Sequence, residues 1–219
     1  NCAFPIFNGV FASRISSTNR VSEVLGIFRE KKLPGIFCLG PLSYSESLEN
    51  TLRQNHCELI DKEYDLALDL QSFKVPFLFL NFTKLEEAHS ADQKQLWCDL
   101  FFKNFGLPDF AKAHFLKMMH ATSEEVNVRF FLASRKSKYI GTFALVELGE
   151  TAGVYCVSIS SEKRQFGSGT MMMASLIKLV QKEKALRYLV GNSNEAGYRI
   201  YRKAPPIIHL GETLVYKFD

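Results

Sequence analysis

The residues best suited to chemistry lie in one stretch, Val157-Ser-Ile-Ser-Ser-Glu-Lys-Arg164-Gln-Phe-Gly167-Ser-Gly169, which runs into the helix-like segment Thr170 to Lys184. An apolar strand, a basic turn with two glycines and a helix start, in that order, can point several backbone N–H groups and a helix N-terminus at one anion. The chemistry this serves is the holding of phosphate. A plain tight turn between strand and helix would use the same glycines. The third glycine of the dinucleotide fingerprint is absent, as is the Lys-Ser/Thr pair that closes a Walker loop, so both nucleotide folds are disfavoured.

Positioning this stretch falls to the elements on either side of it. Val126 to Arg135, Tyr139 to Leu148 and Ala152 to Ile159 read as three apolar strands joined by the short turns Lys136-Ser137-Lys138 and Gly149-Glu150-Thr151, an antiparallel meander. The helix that follows is expected to bury Met173, Leu176, Ile177 and Val180 and to turn Ser175, Lys178 and Lys182 outward. Leu186 to Val190, short and apolar, suits a parallel neighbour of the strand ending at Ile159. Asn192 to Lys203 reads as a last helix opened by Asn192-x-x-Glu195, and Ile207 to Leu210 and Thr213 to Phe218 as a hairpin around Gly211-Glu212.

The loop Arg164-x-x-Gly167-x-Gly169 after a fourth strand resembles the pyrophosphate loop of the GCN5-related N-acetyltransferases, Arg/Gln-x-x-Gly-x-Gly/Ala. The likeness covers about Glu124 to Asp219 by element order as well as by motif. It implies an α/β fold with a mixed sheet, and acetyl-coenzyme A as cosubstrate. Arg164, Gln165, Phe166, Gly167, Ser168, Gly169 and Thr170 would sit at its pyrophosphate. Val157, Ser158 and Ile159 would hold the pantetheine and polarise the thioester, where two strands splay apart.

The last helix, Asn194-Glu-Ala196-Gly-Tyr198-Arg-Ile200-Tyr201-Arg-Lys203-Ala-Pro-Pro206, is similar to the family's Asn-x-x-Ala-x-x-Leu-Tyr-x-Lys-x-Gly-Phe. The resemblance makes Tyr201 the acid for the departing thiolate and Asn194 a contact of the pantetheine arm. Ala204-Pro205-Pro206 departs from the family's Leu-Gly-Phe, removes two backbone donors and stiffens the helix exit. Glu147, Ser158 and Glu195 are candidates for a general base. Cys156 is not embedded in a Cys-His arrangement, which favours direct attack over an acyl-enzyme.

The implied activity is transfer of an acetyl group from acetyl-CoA directly to a primary amine on a small molecule or peptide. A non-catalytic acyl-CoA-binding module, or a paired-domain aminoacyl or other acyl transferase, are the alternatives.

Upstream, Val21, Val24, Leu25 and Phe28 share a helical face after a Ser-Ser-Thr-Asn cluster, and Gly35 to Leu39 is a short strand. Ser43-x-x-Glu46 reads as a capping box for a helix carrying Leu48 and Leu52. Cys57 to Ile60, Tyr64 to Leu70 and Val75 to Leu80 read as strands. This is the element order of a coenzyme-binding half, yet Gly40-Pro41-Leu42-Ser43 carries one glycine and no basic residue. Residues 1–88 are therefore expected to form a degenerate acetyltransferase-like or plain α/β domain, packed against an acetyltransferase domain at 89–219 with its core at 124–219. Ser90-x-x-Gln93 opens a helix with the stripe Leu96, Trp97, Leu100, Phe101 and Phe105. A further helix follows over Asp109 to Met119.

A hydrophobic share of 47% with 19 Phe fits a folded globular chain, and a net charge of +4 spread along it lacks the dense basic stripe of a nucleic-acid module. The cluster Lys178, Lys182, Lys184 and Arg187 could meet cofactor phosphates or form a solvated face. Five cysteines without a C-x-x-C pair suit reduced thiols in a cytoplasm, and no zinc spacing involves the five histidines. Neither a metal nor a membrane is expected.

Overall fold

The computed structural model describes residues 4–5, 8–11, 18–74, 83–125, 127–163, 167–201 and 207–219. Within them run the strands β1 (Gly9–Val10), β2 (Gly35–Leu39), β3 (Glu58–Asp69), β4 (Lys84–Glu87), β5 (Val128–Arg135), β6 (Lys138–Leu148), β7 (Thr151–Ile159), β8 (Tyr188–Ser193) and β9 (Ile207–Phe218). The α-helices are α1 (Thr18–Glu30), α2 (Glu46–Gln54), α3 (Ala91–Phe105), α4 (Lys112–Glu125), α5 (Ser168–Val180) and α6 (Glu195–Tyr201). The chain groups into two compact units. One takes in Asn1–Asp65, Ser193–Tyr198 and His209–Asp219, the other Leu66–Asn192 and Arg199–Ile208.

In the first unit β1 pairs with β2 in parallel, β2 pairs antiparallel with β9 (Cys38 opposite Val215), and β9 neighbours β3. The helical face expected on α1 forms as read: Val21 and Leu25 are fully buried against Phe37, Leu39, Leu52 and Tyr216. The second unit carries the order β8-β7-β6-β5-β4. Its meander β5-β6-β7 is antiparallel throughout, and β8 joins β7 in parallel, as the short apolar run suggested. Parallel and antiparallel neighbours occur in both units, so the fold class is α/β with a mixed sheet.

The core of the second unit gathers Phe131, Phe143 and Leu145 from the meander with Met172, Leu176, Ile177 and Val180 from α5. Met173, expected inside, is only partly buried against that cluster. The capping box on α3 forms in both directions: Ser90 Oγ accepts from the Gln93 amide and Gln93 Oε1 accepts from the Ser90 amide. Gly106, left-handed at φ 66°, closes the helix. On its buried face the Trp97 ring lies 5.2 Å from Phe130 and 5.9 Å from Phe115.

Several boundaries differ from the sequence reading. Glu58–Asp69 is one strand rather than two, because the polar run Asp61-Lys62-Glu63 that reads as a break lies in a strand exposed over its first half. Ile207–Phe218 is likewise continuous. Gly211 is there for close approach: a Cβ would fall 2.4 Å from Pro41 Cγ, and its φ of 149° is one that other residues rarely adopt. The cap of α2 is Ser45, whose Oγ accepts from the Leu48 amide at 3.2 Å, while Ser43 bonds back to Gly40. A 3₁₀ turn at Asp109–Ala111 precedes α4, which runs past Met119 to Glu125. Helix α5 begins two residues earlier than read and ends at Val180, and β8 lies at Tyr188–Ser193. The capping cluster ahead of α1 and the strand expected over Val75 to Leu80 fall wholly or partly outside the described residues.

Candidate active site

Strand β7 is the organising element of the second unit. Its parallel register with β8 covers Thr151–Tyr188, Ala152–Leu189 and Gly153–Val190 and then ends, although β7 continues to Ile159 and β8 to Ser193. The two strands thus leave their ladder about a third of the way along β7, ahead of Val157, Ser158 and Ile159, where the sequence reading puts the splay.

On its other edge β7 carries a bulge. Thr142 is opposite Ser158 and Ala144 is opposite Tyr155, so Cys156 and Val157 face the single residue Phe143. Two residues against one is a β-bulge, and Cys156 takes up the left-handed turn at φ 53°. A non-glycine residue there stores about 1–3 kcal/mol, and such positions gather at functional sites. Burial pushes the Cys156 thiol up to about 12, so it stays protonated near neutrality and is a poor nucleophile.

Gly141 lets the strands meet at this point. A Cβ on it would lie 2.2 Å from the Ser158 carbonyl oxygen and 3.2 Å from Met172 Sδ.

After β7 and a 3₁₀ turn at Ser161–Lys163, Gly167 starts α5 in the left-handed conformation, φ 70°. Among the described residues no side chain caps this helix end, and its first turn holds no acidic residue. The first turn is Ser168-Gly169-Thr170, and the first-turn amides of an α-helix are the ones that its own hydrogen-bond ladder does not use. The arrangement has the polarity to take an anionic group such as a pyrophosphate. Arg164, Gln165 and Phe166 lie outside the described residues. Lys178, Lys182, Lys184 and Arg187 are exposed, and the Arg187 guanidinium lies over the Tyr188 ring at 4.9 Å.

Tyr201, in the last turn of α6, sends its hydroxyl toward Met173 Sδ of α5 at 3.8 Å. Thioether sulfur is a weak acceptor, so the proton is loosely held. Burial raises the Tyr201 phenol to about 12, which keeps it protonated across the physiological range. Val157, Ile159 and Met173 all pack on the same apolar cluster. The structure therefore brings together the splayed strand, α5 and Tyr201.

Asn194 belongs to the other unit and caps α6 itself, its Oδ1 accepting from the Gly197 amide at 3.1 Å. It takes the capping role that the sequence reading gave to Asn192. The base candidates are all engaged. Glu147 pairs with Arg129 at 3.0 Å, Glu195 accepts from the Tyr64 hydroxyl at 2.7 Å, and Ser158 is buried in a hydroxyl network. Among the described residues, no group of three or more His, Cys, Asp or Glu could hold a metal ion, and no helix is long and apolar enough to cross a membrane.

Sequence reasoning missed Asn104 and Thr142. Asn104 Nδ2 donates to Ser158 Oγ at 2.9 Å, and Thr142 Oγ1 lies 2.7 Å from the same oxygen. The one available signal is spacing: Asn104 follows Trp97 by seven residues and so lies near the same face of α3.

The acetyltransferase (GNAT) family model matches residues 91–204, and the chain belongs to that family. No curated protein matches its sequence. Among solved structures it is similar to a GCN5-related N-acetyltransferase from Kribbella flavida, at 12% identity and a TM-score of 0.67, over 91% of this chain and 74% of that one. A second from Sphaerobacter thermophilus gives 13% identity and a TM-score of 0.68, over 92% and 67%. A tandem GNAT protein from the clavulanic acid biosynthesis pathway gives 11% and 0.62, over 95% and 71%. At these identities the likeness is one of fold.

Proposed function

We propose that the protein is an acetyl-CoA-dependent N-acetyltransferase that transfers the acetyl group directly to a primary amine. The observation that carries this reading is the continuity of three features in one unit: β7 leaves β8 after Gly153, bulges at Cys156–Val157, and leads into a helix whose glycine-opened end is neither capped nor acidic. The pyrophosphate is assigned to the Gly167–Thr170 amides together with Arg164, Gln165 and Phe166. The pantetheine arm and the thioester are assigned to the main chain of Val157, Ser158 and Ile159.

The amine nitrogen attacks the thioester carbonyl carbon, the C–S bond breaks, and the sulfur leaves as thiolate. The Tyr201 hydroxyl gives it a proton and is reprotonated from solvent, to which the nitrogen's surplus proton also passes. A phenol near 12 is a weaker acid than an ordinary thiol, so Tyr201 first stabilises the departing sulfur as a hydrogen-bond donor and its proton passes only late, once the charge has developed. The protonated Cys156 supports direct transfer.

Residues 1–88 are assigned to a degenerate acetyltransferase-like half and 89–219 to the acetyltransferase domain.

Calorimetric titration with acetyl-CoA, followed by thiol release against a panel of small-molecule and peptide amines, tests the proposal. Binding with turnover is expected. Absence of binding overturns the reading, and binding without turnover on any amine replaces it with an acyl-CoA-binding module. Tyr201→Phe is expected to lower kcat by about 100-fold, in the range of a lost general acid, with the acetyl-CoA Kd within about twofold. An unchanged kcat removes Tyr201 from the acid role.

A further inference from the structure

The bulge at Cys156–Val157 is held by side chains of the partner strand β6 and of the helix α3. A bulge strands main-chain carbonyls that the ladder would otherwise use, and a buried carbonyl without a donor costs about 1–3 kcal/mol. Here two are supplied by side chains. Trp97 Nε1 donates to the Phe143 carbonyl at 3.1 Å, on the strand opposite the bulge. Thr142 Oγ1 donates to the Cys156 carbonyl at 3.2 Å, on the bulge itself.

Thr142 has one hydroxyl proton. Because that proton goes to Cys156, the 2.7 Å contact between Thr142 and Ser158 must be donated by Ser158. Ser158 Oγ in turn accepts from Asn104 Nδ2 at 2.9 Å. A single direction results: Asn104 N–H to Ser158, Ser158 O–H to Thr142, Thr142 O–H to the Cys156 carbonyl. Thr142 and Ser158 are 0% and 4% exposed, so water cannot replace a missing member without opening the packing. Asn104 stands at the solvent-accessible end of the chain, in the last turn of α3, and Trp97 fixes that helix two turns earlier.

We propose that Asn104, Thr142 and the Ser158 hydroxyl are positioning residues. Their one-way hydrogen-bond chain ties α3 to the Cys156–Val157 bulge and sets the orientation of the main chain that faces the thioester. This rests on the acetyltransferase reading above. Left-handed Cys156 is strained, and the bulge needs an external constraint to keep one conformation. Loosening it disturbs the groups that act on the thioester. The amides at the start of α5 stay as they are, so the rate should fall without a matching loss of cofactor affinity.

The test compares Asn104→Asp, Thr142→Val and Thr142→Ser in the full chain. Asn104→Asp turns the first donor into an acceptor and reverses the demand on Ser158. Thr142→Val keeps the shape and removes the hydroxyl. Both are expected to lower kcat about tenfold or more with the acetyl-CoA Kd within about threefold, and to speed hydrogen exchange of the amides from Tyr155 to Ser158. Thr142→Ser is expected to recover most of the rate and protection. Should Thr142→Val fail to fold, Asn104→Asp, at the accessible end, carries the test alone.

Wild-type kcat in folded Asn104→Asp overturns the proposal, as does a fall in affinity that matches the fall in rate. If the parent protein does not bind acetyl-CoA, the acetyltransferase reading itself has failed. A parent that binds and turns over while the variants match it leaves that reading intact and removes only this one.

Discussion

Each unit contains a strand that turns into a helix, β2 into α2 in the first and β7 into α5 in the second, and these two helix starts are built in opposite ways. In the first, Ser45 caps the amides, Glu46 and Glu49 occupy the first turn, and the Gly40–Ser43 turn is closed by its own hydrogen bonds. The macrodipole of α2 is thereby already answered by carboxylates. In the second, a left-handed glycine stands where a capping side chain would be, and the first turn carries no acid. The same strand-turn-helix plan thus starts a capped, acidic helix in one unit and a glycine-opened helix without an acidic first turn in the other. What separates them is the residue that opens the helix, an extended Ser45 in one and a left-handed Gly167 in the other, together with the charge of the first turn.

Making α5 resemble α2 should have the largest effect. Gly169→Glu puts a carboxylate into the first turn, where like charge against a pyrophosphate costs several kcal/mol, and acetyl-CoA affinity by calorimetry should fall by about 100-fold or more. Gly167→Val forces a β-branched residue to φ 70°, a strain of about 1–3 kcal/mol, and affinity should fall roughly tenfold. Affinities equal to the parent's would deny that this helix end holds the cofactor.

Changes in α2 should leave affinity alone and act on stability. Ser45→Ala removes the cap and should destabilise by about 1 kcal/mol in urea unfolding, with acetyl-CoA binding unchanged. Loss of binding in that variant would mean that the α2 end is not merely structural.

The smallest effect is one of pH. Hydrogen bonds from Tyr216, Arg53 and Tyr44 hold the Glu49 carboxyl down at about 2 against an ordinary 4.5. A depressed carboxyl contributes stability that is fully present above about 4.5 and is lost as pH falls toward about 2. Denaturation midpoints between those values should drop more steeply for the parent than for Glu49→Gln, and parallel curves would show that the site does not couple to folding.

Much of the second unit was legible because its signals are local. The meander, the Ser90 capping box on α3 and the parallel placement of β8 follow from apolar periodicity and from residues adjacent in the chain. Errors fell where a local signal had a distant cause. Gly211-Glu212 reads as a turn because glycine usually marks one, but Gly211 is required by Pro41, which lies far away in sequence. Asp61-Lys62-Glu63 reads as a break because nothing local shows that a strand there is solvent-exposed.

By itself, then, the sequence determined the α/β class, the run from Val157 through the paired glycines into a helix, and the position of Tyr201 on the last helix. These rest on spacing of two and of three to four residues, on glycine and on capping chemistry, all of which act between near neighbours. Only the tertiary structure decided where β7 leaves β8, that Cys156 takes a left-handed bulge, and that Asn104, Ser158 and Thr142 meet. Those features depend on register and on side-chain contacts across 16 to 54 positions of chain, a separation over which no periodicity carries information.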